Sequence, residues 1–144
     1  MEYSEFLEQK KHSNIDYGII PNFISNSMFD FQKYIAEYII KKGRGACFLD
    51  TGLGKTIIEL CVAANYVKNT NKPVVIITPL AVARQHLLEA EKFGIEDVEH
   101  IKDGNYTKKI LLINYERLHY LNPNDFDCYA IFGSNHHHCH CFYR

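Results

Sequence analysis

The chain has 144 residues, of which 16 are lysine or arginine and 17 are aspartate or glutamate, so its formal net charge is -1. This length suits one domain with a single core. Hydrophobic residues make up 47% and charged residues 23% of the chain, which excludes fibrous and wholly disordered proteins. The apolar runs fall far short of the ~18 residues of a membrane span, and the acidic start is unlike a secretory signal. We therefore expect no membrane partner. The chain has five cysteines, an odd number, and Cys47 and Cys61 lie within apolar patterns, which predicts a reducing, cytoplasmic compartment.

The first elements predicted along the chain are an extension over residues 1–24 and then a helix. Ser25, Asn26 and Ser27 offer N-caps for this helix, and Gly43 provides a C-terminal stop. The helix carries one apolar stripe, which we expect to be its buried face, made of Phe31, Tyr34, Ile35, Tyr38 and Ile39.

The rest of the chain alternates between short apolar runs and helical periods. Buried strands are predicted at 46–49, 74–78, 98–101, 110–113 and 129–131. Helices are predicted over 55–69 and from Leu80 to a stop at Gly94. Strands that alternate with helices in this way predict an α/β domain whose parallel sheet is covered on both faces.

The strongest functional signal is a glycine-rich loop between a predicted strand and a predicted helix. Gly52 and Gly54 allow successive backbone N–H groups to point at one phosphate, and the helix that follows presents its positive end to the same anion. Lys55 can reach the β and γ phosphates, and the Thr56 hydroxyl can hold Mg²⁺. The first residue of the usual phosphate-loop motif is Gly or Ala, whereas in this chain it is Leu49. The predicted cofactors are ATP and Mg²⁺, bound by Thr51, Gly52, Leu53, Gly54, Lys55 and Thr56.

Four further segments accompany this loop in a fixed order, at 31–33, 43–45, 78–85 and 113–118. Together with the loop they resemble the first RecA-like domain of superfamily 2 helicases, and most closely the SWI/SNF-like helicases of bacteriophages and prophages. The resemblance implies a P-loop, RecA-like, three-layer domain, incomplete at its C-terminus, over residues 25–131. It also implies a bacterial or phage-infected host cell and a second RecA-like domain in the full-length protein.

The resemblance also implies roles for individual residues. Gln32 would read the adenine edge, since an amide both donates and accepts. Lys55 and Thr56 would be the catalytic residues of the loop. The remaining positions would contact the DNA backbone without reading its sequence, and they are Thr78, Pro79, Leu80, Arg84, Asn114 and Tyr115.

One part of the family pattern is missing. Hydrolysis needs carboxylates that hold Mg²⁺ and position water, and in the family an Asp-Glu pair ends the strand that begins here near Asp127. The chain instead continues into a His/Cys-rich segment that contains no acidic residue. The crowded spacing of that segment is unlike a zinc site, so we expect no zinc. A reading-frame shift would explain it and predicts that residues 132–144 are an aberrant, disordered tail.

Two alternatives to an inactive piece of a helicase stay open. The chain could be a non-catalytic module that binds nucleotide or DNA. It could also be a small P-loop ATPase of another class, in which Asp125 or Asp127 supplies the missing carboxylate.

Overall fold

A computed structural model describes residues 2–11, 16–49, 52–126, 128–132 and 139–143. Its helices are α1 (Tyr3–Lys11), α2 (Asp30–Lys42), α3 (Lys55–Thr70) and α4 (Leu80–Lys92). Its strands are β1 (Gly45–Phe48), β2 (Val74–Ile77), β3 (Val98–His100), β4 (Ile110–Ile113), β5 (Cys128–Phe132) and β6 (Cys139–Tyr143). Two short 3-10 helices, Tyr115–Tyr120 and Pro123–Asp125, join β4 to β5. No helix among the described residues is both long enough and apolar enough to cross a membrane.

The strands form one sheet in the order β1-β6-β5-β2-β4-β3. Strands β5, β2, β4 and β3 are parallel, whereas β6 is antiparallel to both of its neighbours, β1 and β5. It follows that β1 runs in the same direction as the four parallel strands. The carboxyl ends of β1, β5, β2, β4 and β3 therefore share one edge of the sheet. The predicted α/β class is confirmed, and the architecture is that of a RecA-like P-loop domain fragment.

Helix α3 is the centre of the hydrophobic core. Its buried residues include Leu60, Cys61 and Tyr66, which are almost completely inaccessible. Helices α2 and α4 pack against it, and it also contacts β2, β4 and β5. Burial raises the pKa of the Cys61 thiol to about 11, so this cysteine is an inert apolar side chain at neutral pH.

Helix α2 is predicted at nearly its observed position, but its orientation and its N-cap are predicted wrongly. The residues that it buries are Gln32, Ala36, Ile39 and Ile40, and Phe31, Tyr34 and Tyr38 of the predicted stripe are exposed instead. The helix is rotated because Gln32 faces inwards. The N-cap is Phe29 rather than a residue of the 25–27 segment, because the Gln32 side chain accepts a hydrogen bond from the Phe29 N–H (2.9 Å). The predicted stop is confirmed, since Gly43 is left-handed with φ 72°.

Two other predicted faces differ from the structure. Strand β1 was expected to be buried, but Phe48 is exposed and Cys47 is only half-buried. The reason is that β1 is an edge strand of the sheet. Leu80 belongs to the apolar period that predicts α4, yet it is 64% exposed. The buried residues of α4 are Ala83, His86 and Ala90.

Of the extension predicted over residues 1–24, the part from Tyr17 to Phe23 lies against α2 and α3. Backbone N–H groups of Tyr17, Gly18 and Ile19 donate to carbonyl oxygens at the end of α2. The buried Asn65 side chain of α3 then holds the next stretch. Its Oδ1 accepts from the N–H of Asn22 (2.8 Å), and its Nδ2 donates to the carbonyl of Phe23 (2.6 Å).

The segment predicted as a disordered tail is described only in part. Cys139–Tyr143 form β6, so disorder does not describe those five residues, which pair with strands on both sides. Residues 133–138, which include His136–His138 of the His/Cys run, lie outside the described residues. The boundaries 1–24, 25–131 and 132–144, and the aberrant origin of the last segment, stay predictions.

Replacing Asn65 with alanine is predicted to destabilise the fold by about 2 kcal/mol, because it leaves partly buried backbone groups of the extension without their side-chain partner. The measurement is the free energy of unfolding in urea. Asn69→Ala is the matched control, since Asn69 is an exposed residue of the same helix and alanine favours a helix. Equal effects of the two substitutions would contradict the assigned role of Asn65.

Candidate functional site

The glycine-rich loop lies between β1 and α3, as the sequence predicts. Gly52 has φ 84° and Gly54 has φ 79°, a left-handed backbone conformation that residues other than glycine rarely adopt. Nothing in the described structure lies within 4 Å of a Cβ built on Gly52, so the backbone is open to a ligand at that point. Leu53 is partly exposed. Thr51, one of the predicted nucleotide-binding residues, and Asp50 lie outside the described residues.

Lys55 and Thr56 are the first two residues of α3, where the N–H groups of a helix have no partner within the helix. The Lys55 ammonium donates a hydrogen bond to the carbonyl oxygen of Leu49 (2.6 Å), the residue that directly follows β1. No acidic residue lies in the first turn, and no described side chain caps the helix. An ammonium group, open loop backbone and an uncapped helix N-terminus fit a phosphate group.

Gln32 connects α2 to this loop. Its side chain is buried, its Oε1 accepts from Phe29, and its Nε2 donates to the carbonyl of Leu53 (3.0 Å). A Cβ built on Gly54 would collide with the same Nε2 atom. The structure therefore places Gln32 as a support for the loop, and its predicted contact with adenine is not tested by these contacts.

The residues predicted to contact nucleic acid follow β2 and β4, which are adjacent parallel strands. Pro79 is the N-cap of α4, Leu80 is its first residue, and Arg84 is an exposed residue one turn later. Tyr115 begins the 3-10 helix after β4 and is 44% exposed. The sheet thus places two separate sequence segments side by side at one edge.

Thr78 and Asn114 lie at the same edge but inside the protein. Thr78 is 0% exposed and Asn114 is 6% exposed, so neither side chain presents a surface to a nucleic-acid backbone. Thr78 Oγ1 and Asn114 Oδ1 have no hydrogen-bond partner among the described residues. Asn114 Nδ2 donates to the Glu116 carboxylate (2.6 Å). Buried polar atoms of this kind are costly and call for an explanation, such as a role at a functional site.

The order of the strands relates the two groups of residues. The glycine-rich loop follows β1, the predicted nucleic-acid residues follow β2 and β4, and β5 lies between them in the sheet. Ligands of open α/β sheets bind at the carboxyl ends of the strands. The residues that come directly after β5, where the family has its acidic pair, are 133–138 and lie outside the described residues.

A sequence model of the family described as the type III restriction enzyme res subunit matches residues 25–139, which is most of the chain. The chain belongs to this family. The res-subunit family is related to superfamily 2 helicases, so membership indicates an ATP-dependent, helicase-like function on nucleic acid. ATP binding of this kind is typically Mg²⁺-dependent. No curated protein matches the chain.

Metal-ligating side chains are scattered in the described part of this family member. No group of three or more His, Cys, Asp or Glu residues there could hold a metal ion. The His136–His138 run lies outside the described residues, so the expectation that it holds no zinc stays a prediction.

A buried polar pair between α3 and α4 was not predicted from the sequence. The Glu59 side chain of α3 and the His86 side chain of α4 are both 0% exposed and hydrogen-bonded to each other. The signal was present, because Glu59 lies within the apolar run from Ile57 to Ala63. A charged residue that is buried in such a run needs a partner.

Gly54→Ala is predicted to cost about 1 kcal/mol more stability than Gly52→Ala. Both glycines have positive φ, but only a Cβ on Gly54 displaces the Gln32 amide from the loop. The measurement is a double-mutant cycle with Gln32→Ala, scored by the unfolding free energy. The extra cost should disappear once Gln32 is alanine. An unchanged cost in that background would show that Gln32 does not support the loop.

Proposed function

We propose that the chain is the ATP-binding portion of an ATP-dependent DNA helicase or translocase of the SWI/SNF-like phage or prophage type. One observation supports this most directly. The loop that places Lys55 at the start of α3 lies at the same sheet edge as the exposed residues after β2 and β4. The ordered segments at 31–33, 43–45, 78–85 and 113–118 support the narrower family assignment.

The nucleotide side of the proposal uses groups that are in place. The open backbone at Gly52 and the N-terminus of α3 would receive phosphate oxygens. The Lys55 ammonium would exchange its contact with Leu49 for a phosphate, a charge-assisted bond. The Thr56 hydroxyl would hold Mg²⁺, which neutralises phosphate charge when bound.

The DNA side of the proposal uses the exposed residues. Arg84 would pair with a backbone phosphate, and Leu80 and Tyr115 would contact sugar and base faces without reading sequence. Thr78 and Asn114 are buried, so we assign them to the support of these segments rather than to direct contact.

We propose that this chain binds ATP without turning it over by itself. No acidic residue follows Asp127 in the sequence, and hydrolysis needs a carboxylate beside the phosphates. Asp125 is poorly placed for that role, because it precedes β5 and so lies at the amino edge of the parallel strands, away from the loop. This placement argues against a small ATPase that uses Asp125. Asp127 lies outside the described residues, so a small ATPase that uses Asp127 stays an alternative.

Two substitutions are predicted to separate the two binding functions. Lys55→Ala should weaken binding of a fluorescent ATP analogue by about 100-fold, since it removes a charge-assisted contact, and leave the affinity for single-stranded DNA unchanged. Arg84→Ala should leave nucleotide affinity unchanged and lower the slope of log affinity against log salt by about 1.

Lys92→Ala is the matched control for Arg84, because Lys92 is an exposed cation at the other end of the same helix. It should change neither affinity. Equal nucleotide binding by the original chain and Lys55→Ala would refute the ATP site. A common salt dependence for Arg84→Ala and Lys92→Ala would refute the DNA face.

A further inference from the structure

The buried Glu59–His86 pair joins the two helices that begin at the two proposed sites. His86 Nε2 lies 3.1 Å from Glu59 Oε2, and both side chains are fully buried. His86 Nδ1 lies 3.2 Å from the carbonyl oxygen of Val82. Glu59 is one helical turn beyond Lys55 on α3, and Val82 is in the first turn of α4, next to Pro79.

Both ring nitrogens of His86 thus face oxygen acceptors. A neutral imidazole carries one N–H, so it can donate either to Val82 or to a Glu59 carboxylate, but not to both. Both hydrogen bonds form only when the pair holds one further proton, as imidazolium with carboxylate or as imidazole with carboxylic acid. The geometry therefore describes a proton-bridged pair with no net charge.

The charged groups around His86 agree with this description. Burial lowers the pKa of His86, but the hydrogen bond and the charge of Glu59 outweigh it, so that the pKa is raised above its ordinary value of 6.5. Glu89 on the same helix adds to the rise. Strand β3 also packs against α4 and carries two further titratable groups. The Glu99 carboxylate accepts a hydrogen bond from the N–H of Thr107, and burial lowers the pKa of His100.

We propose that Glu59 and His86 are positioning residues, whose buried hydrogen bond holds the start of α3 against α4 and so couples the nucleotide loop to the nucleic-acid face. This inference rests on the proposed function for its ligands. In the proton-bridged form both helices are fixed. As the pH rises through the raised pKa of His86, the pair loses its extra proton. A neutral His86 keeps only one of its two hydrogen bonds, and Glu59 is left as a buried carboxylate without a compensating charge, so the hold on α3 weakens.

The test compares the original 144-residue chain with its Glu59→Gln variant. A glutamine amide can donate to Nε2 of a neutral His86 while Nδ1–H still donates to Val82, so this variant keeps both hydrogen bonds without the extra proton. The affinity for the ATP analogue with Mg²⁺ is measured from about pH 6 to about pH 9. We expect the affinity of the original chain to fall about tenfold more than that of Glu59→Gln over this range. Glu91→Gln, an exposed carboxylate of α4, should follow the original chain.

Titration of the phosphates of ATP affects all three proteins equally. A difference between their curves of affinity against pH therefore reflects the protonation of the Glu59–His86 pair. One common profile for the original chain and Glu59→Gln would overturn the inference. If neither the original chain nor Lys55→Ala binds nucleotide, the proposed function fails, and amide exchange without ligand then tests the pair alone. The Ile58 amide, which donates to Gly54 in the first hydrogen-bonded turn of α3, should lose protection at high pH in the original chain and keep it in Glu59→Gln. Equal protection would also overturn the inference.

Discussion

The burial of helix α3 is the constraint on which the rest of the structure depends. The helix is enclosed by α2, α4 and the sheet, and its residues Leu60 and Cys61 are completely inaccessible. Because protein interiors are close-packed, the position of α3 is fixed by its neighbours rather than by its own sequence. Its first residues, Lys55 and Thr56, are therefore presented at a defined place at the sheet edge. The position of the proposed nucleotide site is a consequence of how the core packs.

Polar residues inside this core link the site to the rest of the domain. Gln32 ties the loop to α2, Asn65 ties α3 to the N-terminal extension, and Glu59 ties α3 to α4 through His86. Each of these side chains is buried, and each forms a hydrogen bond to a different segment of the chain. Buried polar contacts of this kind specify one arrangement of helices where apolar packing alone tolerates several. Under the proposed function, this arrangement would connect the nucleotide loop to the nucleic-acid face.

Much of this fold could be predicted from the sequence, because the local patterns are strong. The apolar runs at Val74–Ile77 and Ile110–Ile113 are strands within one residue of the prediction, and the glycine-rich loop joins a strand to a helix as expected. The failures share a physical cause. The buried face of α2 is set by the contact of Gln32 with the loop, and the exposure of Phe48 is set by the place of β1 at the end of the sheet. Tertiary neighbours decide both, and periodicity carries no information about them. The interior positions of Thr78 and Asn114 follow in the same way from strand order.

The central claim is that ATP binds at the loop between β1 and α3, and amide chemical-shift mapping tests it most directly. MgATP added to ¹⁵N-labelled protein is expected to shift the backbone amides of Gly52, Gly54, Lys55 and Thr56, with little change at the opposite edge of the sheet. The claim would be contradicted if those four amides did not move. It would equally be contradicted if the largest shifts lay elsewhere, such as around the cavity between Phe23 and Ile95.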